Sequence, residues 1–147
     1  MREALFSLVG HRLEGTTFLD AFAGAGTVGL EAWSRGAEVT CVERSRVALQ
    51  VIRTNIAALG ASMEVVAGDA LRLGALQPFD GVFADPPYGD DPAVAAQALA
   101  PYARQWMVIE SEGKRVELPQ TVGGLELDRV RRYGRTALWV YRGPINP

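Results

Sequence analysis

At 147 residues and 15.8 kDa the chain is the size of one ordinary domain, long enough to bury roughly 70% of the surface it exposes when unfolded. Hydrophobic residues at 48% and charged residues at 22% exclude a disordered chain, and no run approaches the ~20 apolar residues of a membrane-spanning helix. The net charge of −2 and the pI of 5.4 lack the overall basic signature of nucleic-acid domains.

The elements follow in chain order as a single domain over residues 1–147. Arg2 to about Leu8 is amphipathic at helical spacing, and the first six residues lack the apolar run of a secretory signal, so a cytoplasmic protein is expected. His11 reads as a surface residue. Thr17–Ala21, Glu38–Val42, Met63–Ala67, Gly81–Ala84 and Trp106–Glu110 read as strands, several nearly all apolar, as strands covered on both faces are. Cys41 falls inside the second and is expected to be buried without chemistry. As the chain's one cysteine it excludes an internal disulfide, and with one histidine it sets aside a Cys/His zinc site; no metal is expected.

Helices are expected between the strands. Thr27–Arg35 is the first. Ser45–Leu59 is the second, capped by Ser45 and Gly60, with Val47, Val51 and Asn55 beside Ala48, Ile52, Ile56 and Leu59 forming one wide apolar stripe. Asp90 or Asp91 before Pro92 opens a third that runs to about Tyr102. After Glu112 the helical pattern stops. Leu125–Val130 and Thr136–Tyr141 read as strands joined through Arg131–Arg135, a connection short enough to force antiparallel pairing. The expected fold is α/β: seven strands, five parallel and then a terminal hairpin, with helices on both faces. Arg129, Arg131, Arg132 and Arg135 gather on that hairpin and leave a local basic patch open.

The strand-to-helix turn Asp20-Ala21-Phe22-Ala23-Gly24-Ala25-Gly26-Thr27-Val28-Gly29 contains G-x-G-x-x-G. Glycines there let a ligand lie against the backbone at the carboxyl edge of the sheet, or serve the turn alone. Glu43 ends the second strand, where a carboxylate accepts hydrogen bonds from the two hydroxyls of a ribose; Arg44 follows it. Both features fit a nicotinamide dinucleotide and S-adenosylmethionine equally.

Asp20 at the tip of the first strand repels a pyrophosphate but suits the ammonium of a methionine moiety, directly or through water. Asp69 is placed to accept from an adenine amino group beside the Ala70 amide, or to cap a helix. Asp85-Pro86-Pro87-Tyr88 ends the fourth strand. Its prolines stiffen the chain and remove amide donors, so that carbonyls and the Asp85 carboxylate stand as acceptors beside a flat ring. That set matches a planar base with an exocyclic NH2. Phe22 is a candidate cofactor-lining residue, Glu110 and Ser111 are candidate contacts, and Arg2 and Glu3 either cap the pocket or form a surface pair.

Arg2–Phe6, Asp20–Gly26, Val42-Glu43, Asp85–Tyr88 and Ile109-Glu110 together resemble the bacterial 16S ribosomal RNA guanine-N2 methyltransferase family, class I S-adenosylmethionine-dependent enzymes. Members of that family carry a basic segment ahead of the first helix, which here begins at the start of the chain. The resemblance implies S-adenosylmethionine as cofactor, held by Asp20, Phe22, Gly24, Gly26, Glu43, Arg44, Asp69 and Ala70. It implies Asp85, Pro86, Pro87 and Tyr88 around the attacking amine, ribosomal RNA or the small-subunit particle as substrate, and a monomer. The rivals are an adenine-N6 methyltransferase on DNA or RNA, a nicotinamide oxidoreductase, and a non-catalytic binding subunit.

Overall fold

The computed structural model describes residues 2–113 and 116–143. In chain order these form α1 (Arg2–Val9), β1 (Thr17–Asp20), α2 (Thr27–Ser34), β2 (Glu38–Glu43), α3 (Arg46–Leu59), β3 (Glu64–Ala67), β4 (Phe79–Ala84) and α4 (Pro92–Leu99). After a 3₁₀ turn at Ala100–Tyr102 come β5 (Ala103–Glu112), β6 (Thr121–Val122), β7 (Leu125–Tyr133) and β8 (Thr136–Arg142). The strands make one sheet in the order β3-β2-β1-β4-β5-β8-β7-β6. The first five are parallel and the last three antiparallel.

The sheet thus has eight strands rather than the expected seven. The extra one, β6, is two residues that fold back on Leu125 and Glu126 across Gly123-Gly124, too short to carry a periodicity. The hairpin strands also run further than expected. Arg131 and Arg132 pair within the ladder, and the turn contracts to Gly134-Arg135, with Gly134 at φ +60°. An arginine-rich strand on a sheet margin has no buried alternation to betray it.

The two faces of the sheet bury separate cores. Leu5 and Phe6 of α1, Ala32 of α2 and Ile52 of α3 cover Phe18, Val39, Val108, Leu138 and Val140. Ala96 and Leu99 of α4 cover Leu19, Val82, Met107, Ile109, Trp139 and Tyr141. Cys41 is buried on the first face and unpaired. The capping residues act as expected: Ser45 Oγ accepts from the Ala48 amide at 3.3 Å, Asp91 from Ala93 at 2.9 Å, and Gly60 ends α3 at φ +63°. The α3 stripe is narrower than expected. Leu49 and Ile52 are buried, whereas Val47 is 73% exposed and Val51 41%, because a single flank of this helix meets the sheet.

β1 and β4 are neighbours although other elements separate them in sequence, and their amino ends are clasped. Asp80 Oδ2 accepts from the Thr17 amide and Thr17 Oγ1 from the Asp80 amide, each at 2.8 Å. The strand order reverses between β1 and β4, so a crevice opens at their carboxyl ends. No helix among the described residues is long and apolar enough to cross a membrane.

Candidate active site

Two hollows lie along the carboxyl edge of the parallel strands. The first, of about 340 Å³, is lined by Ala21, Phe22, Gly24, Glu43, Asp69 and Ala70, with Arg44, Asp85, Pro87 and Asp90 also on its wall. The second, of about 370 Å³, is lined by Asp85, Pro86, Tyr88, Glu110, Ser111 and Glu112, again with Pro87 and Asp90. The turn after β4 is therefore a wall between them. Pro87 accepts from the Asp90 amide at 3.0 Å, which closes that turn, and Tyr88 stands fully exposed beside it.

Glu43 organises the first hollow. Its Oε1 accepts from the Gly24 amide at 2.7 Å; its Oε2 accepts from the amides of Arg44 at 3.1 Å and Ser45 at 2.8 Å. A carboxylate has about four lone-pair directions, so three amides leave about one, on Oε1, for a hydroxyl. Asp69 Oδ1 accepts from the Leu71 amide at 2.9 Å in a local turn, and no helix follows it, so it caps none.

The glycines divide their work. Gly24, at φ +56°, lines the first hollow with open space where a side chain would stand. Gly26 does not line it: a Cβ there would lie 2.4 Å from Cγ1 of Ile52, so its bareness serves the packing of α3. Asp20 is not on the wall either. It is 1% exposed, and its Oδ2 accepts from the Gly29 amide at 3.0 Å, capping α2 where the N-cap residue, Gly26, has no side chain. Burial pushes the Asp20 carboxyl up to about 7, while the Gly29 amide pulls the other way.

In the second hollow Asp85, just past the end of β4, and Glu110, on the adjacent strand β5, are acidic neighbours on the same wall. Burial, then the neighbouring Asp85 and Glu112, push Glu110 up to about 7. Burial and then Glu112 raise Asp85, while the nearby Glu110 carboxyl works the other way. The sequence offered a weak signal for this pairing: Glu110 and Glu112 are two apart on a strand and so share a face. Ser111 lies on the opposite face, its Oγ accepting from Trp139 Nε1 at 2.8 Å, which ties β5 to β8. Arg2 lines a separate groove between α2 and α3, and Glu3 is exposed, so neither caps the hollows. His11 is exposed, 3.4 Å from an Arg35 nitrogen.

The chain resembles known proteins along most of its length. The family model described as Conserved hypothetical protein 95 matches residues 1–142. The chain is 33% identical over 97% of its length to YlbH of Bacillus subtilis (strain 168), a protein named provisionally as an rRNA methyltransferase, and covers 84% of it. Over 60% of its length it is 38% identical to ribosomal RNA small subunit methyltransferase D of Escherichia coli (strain K12), spanning 46% of that protein. A solved conserved hypothetical protein of Streptococcus pyogenes superposes with a TM-score of 0.86 at 32% identity, covering 97% of this chain and 94% of that one. The architecture is the class I methyltransferase fold. The expected kinship holds: the chain belongs to the Conserved hypothetical protein 95 family, with small-subunit ribosomal RNA methyltransferase D among its relatives.

Proposed function

We propose that this protein is an S-adenosylmethionine-dependent methyltransferase that methylates the N2 amine of a guanine in 16S ribosomal RNA. The observation that carries the proposal is the shared wall: Asp85 and Pro87 face both a nucleoside-sized hollow rimmed by Gly24 and Glu43 and a second hollow flanked by the exposed Tyr88. The first hollow fits the cofactor, since Glu43 keeps an acceptor for a hydroxyl and Gly24 leaves backbone bare for close approach. Phe22, Glu43, Arg44, Asp69 and Ala70 would hold it there; Gly26 and Asp20 support the loop from behind. When bound, S-adenosylmethionine supplies an electrophilic methyl group on a positively charged sulfur.

The chain's own residues then position and deprotonate the acceptor. A guanine amine is a poor nucleophile because its lone pair is delocalised into the ring. Asp85 and the Pro86 carbonyl accept its two N–H bonds and turn the lone pair towards the neighbouring hollow. Such orientation supplies up to about 7–11 kcal/mol in ideal cases. Tyr88 offers its ring as a stacking face for the base, which must leave its own stack to enter. The proton that the amine sheds on forming the N–C bond passes to the Asp85–Glu110 pair, provided the pair is ionised.

Glu110 favours guanine over adenine. Guanine presents N1–H and N2–H2 as adjacent donors to two carboxylates, whereas adenine sets its N1 lone pair against one of them. Nucleoside mass spectrometry of small-subunit RNA incubated with protein and labelled cofactor tests this. N2-methylguanosine is expected; N6-methyladenosine favours the alternative, and no labelled nucleoside on any RNA refutes the enzyme.

A further inference from the structure

The rim of the acceptor hollow is strongly acidic. Asp85, Asp90, Glu110 and Glu112 all line it, and Glu43 and Asp69 line the hollow behind. A polyanion approaching this edge is repelled unless cations nearby hold its backbone. The strand register supplies them. Across the antiparallel ladder Glu110 pairs with Leu138 and Leu138 with Arg131; the flanking rows run Val108–Val140–Arg129 and Glu112–Thr136–Tyr133. Directly paired residues point to the same face of a sheet. Arg129, Arg131 and Tyr133 therefore lie on the face that carries Glu110, with Arg131 two strand spacings away, about 10 Å. All three are exposed.

We propose that this face of the β7–β8 hairpin holds the phosphate backbone of a looped or single-stranded RNA whose guanine occupies the acceptor hollow. The proposal rests on the RNA methyltransferase function above and names the surface that function needs. Among the described residues Arg131 and Arg135 form no ion pair within 4 Å. Arg129 lies 3.4 Å from Asp128, but Arg142 shares that carboxylate at 3.3 Å, so the group keeps a net positive charge. Two ladders of hydrogen bonds fix the guanidinium roots, and arginine suits bidentate phosphate contact. Tyr133 adds a ring for a neighbouring base. Arg132 falls on the other face, its guanidinium 5.5 Å over the Trp139 ring, and takes no part.

That difference between faces makes the test selective. Fluorescence anisotropy with a labelled, guanosine-containing RNA hairpin of small-subunit sequence reads affinity for the full chain. R131Q weakens binding about five-fold at 0.1 M salt, the counterion term for one single-strand phosphate contact. R129Q/R131Q weakens it about 25-fold and flattens the log–log salt slope by about 1.4. R132Q, with the same charge change on the opposite face, alters binding less than two-fold. Equal losses for R131Q and R132Q, or an unchanged slope, overturn the surface. In turnover, R129Q/R131Q raises KM for RNA and keeps kcat. Methylation at the parent KM overturns the surface and leaves the enzyme standing; face-selective RNA binding by a parent that methylates no RNA does the reverse.

Discussion

Replacing Gly26 with alanine separates two uses of a glycine that look alike in sequence. At φ +83° an alanine carries a backbone penalty of about 1–2 kcal/mol. Its Cβ would also stand 2.4 and 2.8 Å from Cγ1 and Cδ1 of Ile52, a fully buried residue, and such overpacking typically costs 1–3 kcal/mol. The sum is about 2–5 kcal/mol, and for a chain of this size 3 kcal/mol lowers Tm by roughly 6–12 °C. Gly24→Ala meets no atom within 4 Å and bears the backbone penalty alone. Thermal unfolding of the two variants, with calorimetry of S-adenosylmethionine binding to the folded protein, distinguishes them. Gly26→Ala is expected to unfold early and bind cofactor within three-fold of the parent. A Gly26→Ala variant with unchanged Tm and much weaker cofactor binding would refute the packing role.

Three further outcomes follow from the carboxylates. Asp85→Asn keeps the shape of the wall but loses a proton acceptor: methyl transfer to RNA falls at least 10²-fold, while calorimetry shows cofactor affinity within three-fold. Because the Asp85–Glu110 pair must be ionised to take a proton, and Glu110 titrates near 7, the rate should rise with pH through about 7. In Glu110→Gln that limb should move down in pH, because the group raised to about 7 is gone and Asp85 alone titrates; a stopped-time assay over pH 5.5–8.5 that leaves it in place would exclude the pair as acceptor. Asp20 has its folded-state pKa raised from 3.8 to about 7, so the native state binds the proton more tightly and stability drains away as pH climbs between those values. Asp20→Asn keeps an acceptor for Gly29 and should gain stability over the parent from pH 5 to pH 8 in urea titrations; a constant difference would show that Asp20 does not titrate there.

Strands β1, β2, β4 and β5 are legible as short, largely apolar runs next to helical periodicity. By contrast β3, on the sheet margin with Val65 and Val66 only half-buried and no helix before β4, is legible from its apolar run alone. The site's location is legible for the same reason, since Glu43, Asp69 and Asp85 each end such a run. What stays hidden depends on contacts distant in sequence. That Gly26 yields its space to Ile52, and that Asp20 is buried as a cap for α2 at Gly29 instead of lining the hollow, are facts about the packing of α2 and α3 against β1. Val47 and Val51 satisfy the helical period, yet the sheet meets α3 along Leu49 and Ile52. The pairing of Asp85 with Glu110 needs the adjacency of β4 and β5, which the spacing of two runs does not provide.

The reciprocal Thr17–Asp80 clasp fastens the centre of the sheet at the end away from both hollows. Mechanical integrity and ligand chemistry consequently occupy opposite poles of the same two strands. Loops at the open pole can be exchanged or lengthened while the fastened pole continues to hold the sheet in register, which is a physical basis for altering the site without disturbing the scaffold.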